Sequence, residues 1–121
     1  MTAIALPRVD RDEVLTMHLP EGKPIPGLDG PVGTREQATW HSDDRTIETG
    51  VWECDAGRFR AEFAAYGELF TVVRGELECT ADDGATFTLR PGDAMTFPRG
   101  WSGEWNAKSP LRKIYATWAA R

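Results

Sequence analysis

The chain is short of the residues from which metal centres and disulfide frameworks are built. Its 121 residues include two histidines, His18 and His41, and two cysteines, Cys54 and Cys79. The cysteines have 24 residues between them and no C-x-x-C spacing. That excludes a disulfide scaffold and reads as two small buried hydrophobes in a reducing compartment. A divalent transition metal needs three or four N, O or S donors converging on one point, and these histidines do not supply them. Long apolar runs are missing as well. None approaches the roughly 18 residues of a membrane helix, and no basic, apolar and small-residue pattern opens the chain as a signal peptide. The expected location is the cytoplasm, with no membrane partner. Positive charge is also scarce: 14 Lys and Arg face 19 Asp and Glu, for a formal net charge of −5. Without a basic cluster there is no counterion for nucleic acid. A G-x-S-x-G elbow, a Gly-rich phosphate loop and an H-E-x-x-H pair are all absent. A small molecule is the partner class that remains.

What the chain does have is proline, glycine and tryptophan in an ordered arrangement. Residues 1–33 hold Pro7, Pro20, Pro24, Pro26 and Pro31 with four glycines. The only helical pattern there is Asp10–Met17, which Asp10 would cap and Pro20 would stop. Residues 1–34 therefore read as an extended arm lying over the remainder, and 35–121 as one domain. From Thr39 onward, β-prone runs fall at Ile47–Cys54, Arg58–Phe63, Leu69–Thr80, Thr86–Leu89, Ala94–Phe97, Ser102–Trp105 and Lys113–Ala119. Gly, Pro and Asp turn signals separate them every 8–12 residues, the spacing of an all-β sandwich or barrel. Asp83-Gly84 predicts a hairpin. Four of the five tryptophans (Trp52, Trp101, Trp105 and Trp118) lie in or beside these runs, where indole either fills a core or lines a cavity.

Two segments make the pattern specific. Glu68-Leu-Phe-Thr-Val-Val-Arg-Gly75 resembles the second half of cupin motif 1, E-x6-G. Gly92-Asp-Ala-Met-Thr-Phe-Pro98-Arg-Gly100 resembles the first half of cupin motif 2, G-x5-P-x-G. The 16 residues between them, Glu76–Pro91, leave room for two short strands and a turn. Gly50-Val-Trp-Glu-Cys, Gly57-Arg-Phe-Arg, Gly103-Glu-Trp and Arg112-Lys-Ile-Tyr resemble a branch of small single-domain cupins. That branch is related to a domain of ureidoglycine aminohydrolase and to ethanolamine-utilisation cupins. The resemblance implies an all-β fold, a single cupin barrel of the RmlC-like jelly-roll type preceded by the arm. It also implies a homodimer, and the arm would serve as a lid, as a strand exchanged with the partner, or as both. Many cupins hold a metal with H-x-H, the following Glu and a His of motif 2. Here those positions carry Ala61 and Phe63 (or Phe63 and Ala65, counted from Gly57) and Gly103, and only Glu68 survives. No metal and no cofactor are expected.

If Phe63 faces inward, as its cupin motif position implies, strand alternation brings Phe59 and Ala61 inward with it and turns Arg58, Arg60 and Glu62 outward. It places Phe70 and Val72 inside with Glu68, and Trp101 and Trp105 inside with Gly103. Lys113 and Tyr115 share a face of the last run. The expected cavity is therefore aromatic, with Phe63, Phe70, Trp101 and Trp105 as substrate-binding residues. Glu68, Lys113 and Tyr115 are the expected catalytic residues. Glu68 and Lys113 form an acid/base pair, and Tyr115 donates a hydrogen bond to a substrate oxygen. Three classes stay open: a metal-independent enzyme carrying out isomerisation, elimination or cyclisation on a small polar metabolite, a non-catalytic binder using the same cavity, and a metal-dependent hydrolase or dioxygenase with atypical ligands. In the binder, Glu68 and Lys113 are a buried pair that fixes the barrel.

Overall fold

A computed structural model describes residue 4 and residues 6–119. Residues 1–3 and 5 of the expected arm, and 120 and 121 of the expected barrel, lie outside the described residues. Nine strands follow in order: β1 Thr34–His41, β2 Ile47–Cys54, β3 Gly57–Glu62, β4 Tyr66–Arg74, β5 Leu77–Ala81, β6 Thr86–Leu89, β7 Ala94–Phe97, β8 Ser102–Ala107 and β9 Leu111–Ala119. They pair antiparallel in two sheets, one ordered β1-β2-β9-β4-β7 and the other β3-β8-β5-β6. The fold is all-β and of the jelly-roll type, as expected. Among the described residues, no helix is long and apolar enough to cross a membrane.

Two strand expectations need correction. The run Leu69–Thr80 is two strands, because Gly75 turns the chain at φ +92°, and a β-carbon there would collide with the Pro110 carbonyl. β1 was not foreseen: Thr-Arg-Glu-Gln-Ala-Thr-Trp-His shows no apolar alternation. Its pairing with β2 from Thr34↔Cys54 to His41↔Glu48, with a register shift between Ala38 and Trp40, makes it a strand regardless. The Asp83-Gly84 hairpin forms between β5 and β6. Ala81 N–H donates to the Ala85 carbonyl at 2.8 Å, and the Asp83 carboxylate accepts from Ala85 N–H at 2.9 Å.

The two sheets enclose a core of aromatic rings. Phe97 stacks on Phe63 (5.4 Å between centroids) and on Phe70 (5.5 Å), and packs against Trp105 (5.1 Å). Cys54 and Cys79 belong to this core, both fully buried and free. Burial pushes each thiol up to about 12, which makes them inert packing groups.

The arm lies on its own barrel. Asp10–Met17 forms successive turns rather than a helix: Val14 N–H donates to Asp10 C=O (2.9 Å) and Met17 N–H to Glu13 C=O (2.8 Å). The Asp10 carboxylate caps them by accepting from Asp12 and Glu13 N–H. So short a segment has little helical stability of its own. Val14 and Leu19 bury against Val51, with Ile114 and Val73 alongside, on the outer face of the five-stranded sheet. Polar contacts fix it there. Arg112 donates to the carbonyls of Val14 and Met17, and Arg74 to that of Leu15. Further on, single bridges Glu21↔Arg35, Ile25↔Val32 and Gly27↔Phe59 carry the arm across the barrel.

Candidate functional site

The register of the five-stranded sheet decides which side chains meet. Glu36 of β1 lies opposite Trp52 of β2, and Trp52 lies opposite Lys113 of β9. Two residues along, Gly50, Tyr115 and Phe70 form the next row. Beyond it Glu48, Thr117, Glu68 and Phe97 form a third. Because side chains alternate, all three rows face the barrel interior. The facing sheet contributes Phe59 opposite Trp105 and Ala61 opposite Gly103. Between the sheets lies a cavity of about 770 Å³, whose wall includes Glu36, Glu48, Glu68, Trp52, Lys113 and Tyr115. Ile25 and Pro26 of the arm stand at it too.

Lys113 Nζ donates to Glu68 Oε2 at 2.5 Å, and both side chains are more than nine-tenths buried. The ammonium is also boxed by rings, 4.4 Å from the Phe70 centroid, 4.6 Å from Trp52 and 4.9 Å from Trp105. Aromatic faces and a carboxylate together replace the water that the ammonium has lost. The Tyr115 hydroxyl contacts Glu36 Oε2 and lies 3.0 Å from Glu48 Oε2. Burial first, and then these two carboxylates, hold its phenol well above the usual range and therefore protonated. Tyr66 is raised for the same first reason, with Glu68 and Glu36 adding to it.

The structure brings together Glu68, Lys113, Tyr115, Phe63 and Trp105 on one cavity wall. Phe70 sits beneath that wall, 1% exposed, as the ring under Lys113. Trp101 packs edge-on against Phe97 at 4.8 Å and behind Phe63 at 6.2 Å, and does not itself line the cavity. The Tyr115 hydroxyl faces carboxylates rather than open cavity. Arg60 and Glu62, expected to point outward, reach the rim with their long side chains, and Arg60 is paired with Asp82 and Glu62. Sequence reasoning missed Glu36, Glu48 and Tyr66. Glu48 shares the parity of Gly50 and Trp52 on β2, so alternation could have found it. Glu36 could not be found without recognising β1.

The metal of the wider cupin superfamily can be tested against these side chains. Ala61 and Phe63 line the cavity at the two motif 1 positions and offer no donor. At Gly103 a β-carbon would strike the Thr80 carbonyl and come within 2.6 Å of the Trp101 ring, so an imidazole does not fit. Glu68 is already engaged by Lys113. His18 and His41 lie outside the lining residues. Among the described residues, no group of three His, Cys, Asp or Glu is arranged to hold a metal ion. The donor set does not fit the group.

Comparison with known proteins places this geometry. The chain is similar to a protein of unknown function in the DUF861 family from Pseudomonas syringae pv. tomato str. DC3000. Identity is 20%, the TM-score is 0.78, and 90% of this chain is covered. This chain spans 46% of the Pseudomonas protein's length. It is similar to a putative ethanolamine utilization protein Q (EutQ) from Salmonella typhimurium LT2, with 26% identity and a TM-score of 0.62. That likeness covers 79% of this chain and 76% of the other. KdgF from Halomonas sp. shares the fold at 19% identity and a TM-score of 0.59, over 73% of this chain and 80% of that one. No curated protein matches. The EutQ-like cupin domain model (Cupin_3) matches residues 41–115, more than half of the chain, and the chain belongs to that family.

Proposed function

We propose that the chain binds a small polar metabolite in the barrel cavity and moves a proton on it without a metal, with Glu68 and Lys113 as the acid/base pair. The observation that carries this reading is the pair itself: opposite charges at 2.5 Å, buried, on the wall of a cavity. A carboxylate held against an ammonium in an apolar enclosure is positioned to take a proton from a carbon or oxygen acid, and the ammonium to stabilise the charge that develops. The aromatic wall excludes water, which strengthens both interactions. Tyr115 positions Glu36 and Glu48 and keeps its own proton. The two free, buried cysteines suit the reducing cytoplasm, where we place the protein.

One feature favours a binder instead. The Lys113 ammonium is confined by three rings and is 4% exposed, so its movement towards a substrate is restricted. Proton NMR of small polar metabolites in deuterated water separates the two readings. The wild-type chain is expected to wash deuterium into an acidic C–H of its substrate. Glu68→Gln is expected to lower that rate by about 100-fold or more while still binding. Binding without exchange in the wild type assigns the cavity to a non-catalytic binder.

A further inference from the structure

Tyr115 has one hydroxyl hydrogen, and two carboxylates converge on it. Glu36 Oε2 and Glu48 Oε2 both lie within hydrogen-bonding distance of the same phenol oxygen, and the phenol can donate to one of them. The other carboxylate lies beside it without a hydrogen from the phenol, Glu36 being exposed and Glu48 half-buried. Among the described residues, neither carboxylate has a cationic partner: Lys113 is engaged by Glu68, and Arg60 at the rim by Asp82 and Glu62. The lining thus carries four carboxylates (Glu36, Glu48, Glu62 and Glu68) against two cations.

Two independent features of the same wall bear on what would balance that charge. The wall already holds one ammonium, Lys113 Nζ, by ring faces at 4.4–4.9 Å. Phe59, Phe63 and Tyr66 add aromatic surface around the remaining space, which suits a second cation. Trp105 lies on this wall, 3% exposed, and its indole N–H has no hydrogen-bond partner. A buried donor left in that state has lost its water without gaining a partner, and an acceptor oxygen on a ligand would supply one.

We propose that the cavity takes a small organic cation, an ammonium compound that also carries a neutral acceptor oxygen, with its nitrogen between Glu36 and Glu48. The proposal rests on the reading of this cavity as the ligand site. An anion of the same size is disfavoured there, because it would face two carboxylates that have no cation beside them.

Three probes of nearly equal size and different charge test it: methoxyethylammonium chloride, sodium methoxyacetate and methoxyethanol. Each is titrated into the full chain at neutral pH and followed by proton–nitrogen correlation NMR, including the indole signals of Trp52 and Trp105. The ammonium probe is expected to shift the cavity signals with a dissociation constant in the millimolar range or tighter. Glu36→Gln and Glu48→Gln are each expected to weaken it roughly tenfold or more, at unchanged fold by the remaining amide spectrum. Methoxyacetate is expected not to bind. If methoxyacetate or methoxyethanol binds as tightly as the ammonium, the cation assignment falls and the cavity stands as a ligand site. Ammonium binding that survives both glutamine variants also overturns it. Silence from all three probes removes the cation assignment, and the deuterium-exchange experiment then decides the cavity on its own.

Discussion

Lys113→Met is expected to destabilise the fold by about 3–5 kcal/mol, while the double variant Glu68→Leu/Lys113→Met recovers most of that loss. The single change removes the cation paired with Glu68 and leaves a carboxylate that is 6% exposed among rings. A buried, uncompensated charge costs far more than the pair contributes, since both ions gave up water to come together. In the double variant the charges leave together. Met fills the place of the Lys stem beneath Trp52, Phe70 and Trp105, where a thioether packs well against aromatic rings. Urea denaturation of wild type, both singles and the double measures the coupling directly. A double variant as unstable as Lys113→Met would mean that the pair is a structural necessity. Recovery of stability would mean that the barrel does not need the pair, and that its presence on the cavity wall answers to chemistry.

The second large effect is expected at Glu53, on the opposite face of the same sheet. Glu53 is 7% exposed and accepts from Arg35 at 2.9 Å, Arg74 at 2.6 Å and Arg112 at 2.9 Å. Burial alone would raise its carboxyl, but the hydrogen bonds from Arg74, Arg112 and Arg35 outweigh it and bring the value from 4.5 down to about 2. A carboxyl lowered in the folded state contributes stability that is fully present above its unfolded value and is lost as pH falls towards the folded one. The window is therefore from about pH 4.5 down to about 2, with roughly 3 kcal/mol at stake. Glu53→Gln is expected to cost about that much or more near neutral pH, because Arg112, itself 5% exposed, loses its counter-charge. That corresponds to a fall in Tm of about 10 °C or more. Melting curves across acid pH test the assignment. The gap between wild type and variant should narrow on acidification, and curves that stay parallel would mean that another carboxylate governs acid unfolding.

Much of the barrel was legible because its strands obey a period of two with turn residues between them. β2, β6 and β7 match their predicted bounds. Alternation showed which residues share a face, Phe59 with Phe63, Glu68 with Phe70 and Lys113 with Tyr115, while the choice of inward face rested on the cupin resemblance. β1 was not legible: its inward positions include Glu36 and Ala38, so no apolar alternation marks it, and only its pairing with β2 makes it a strand. With β1 unseen, neither Glu36 nor the competition for the Tyr115 hydrogen could be read. Phe70 and Trp101 illustrate a different limit. Parity says which face a residue joins, but the depth along the barrel decides whether it lines a cavity or fills the floor beneath it.

The crowding at Gly103 limits what the cavity can be redesigned to hold. A change of that one residue to His would drive its β-carbon into the Thr80 carbonyl and bring it to 3.0 Å from the Ala81 α-carbon. An imidazole at this position therefore requires the neighbouring β5 backbone to move first. The carboxylates and rings of the cavity carry no such condition and can be exchanged one residue at a time.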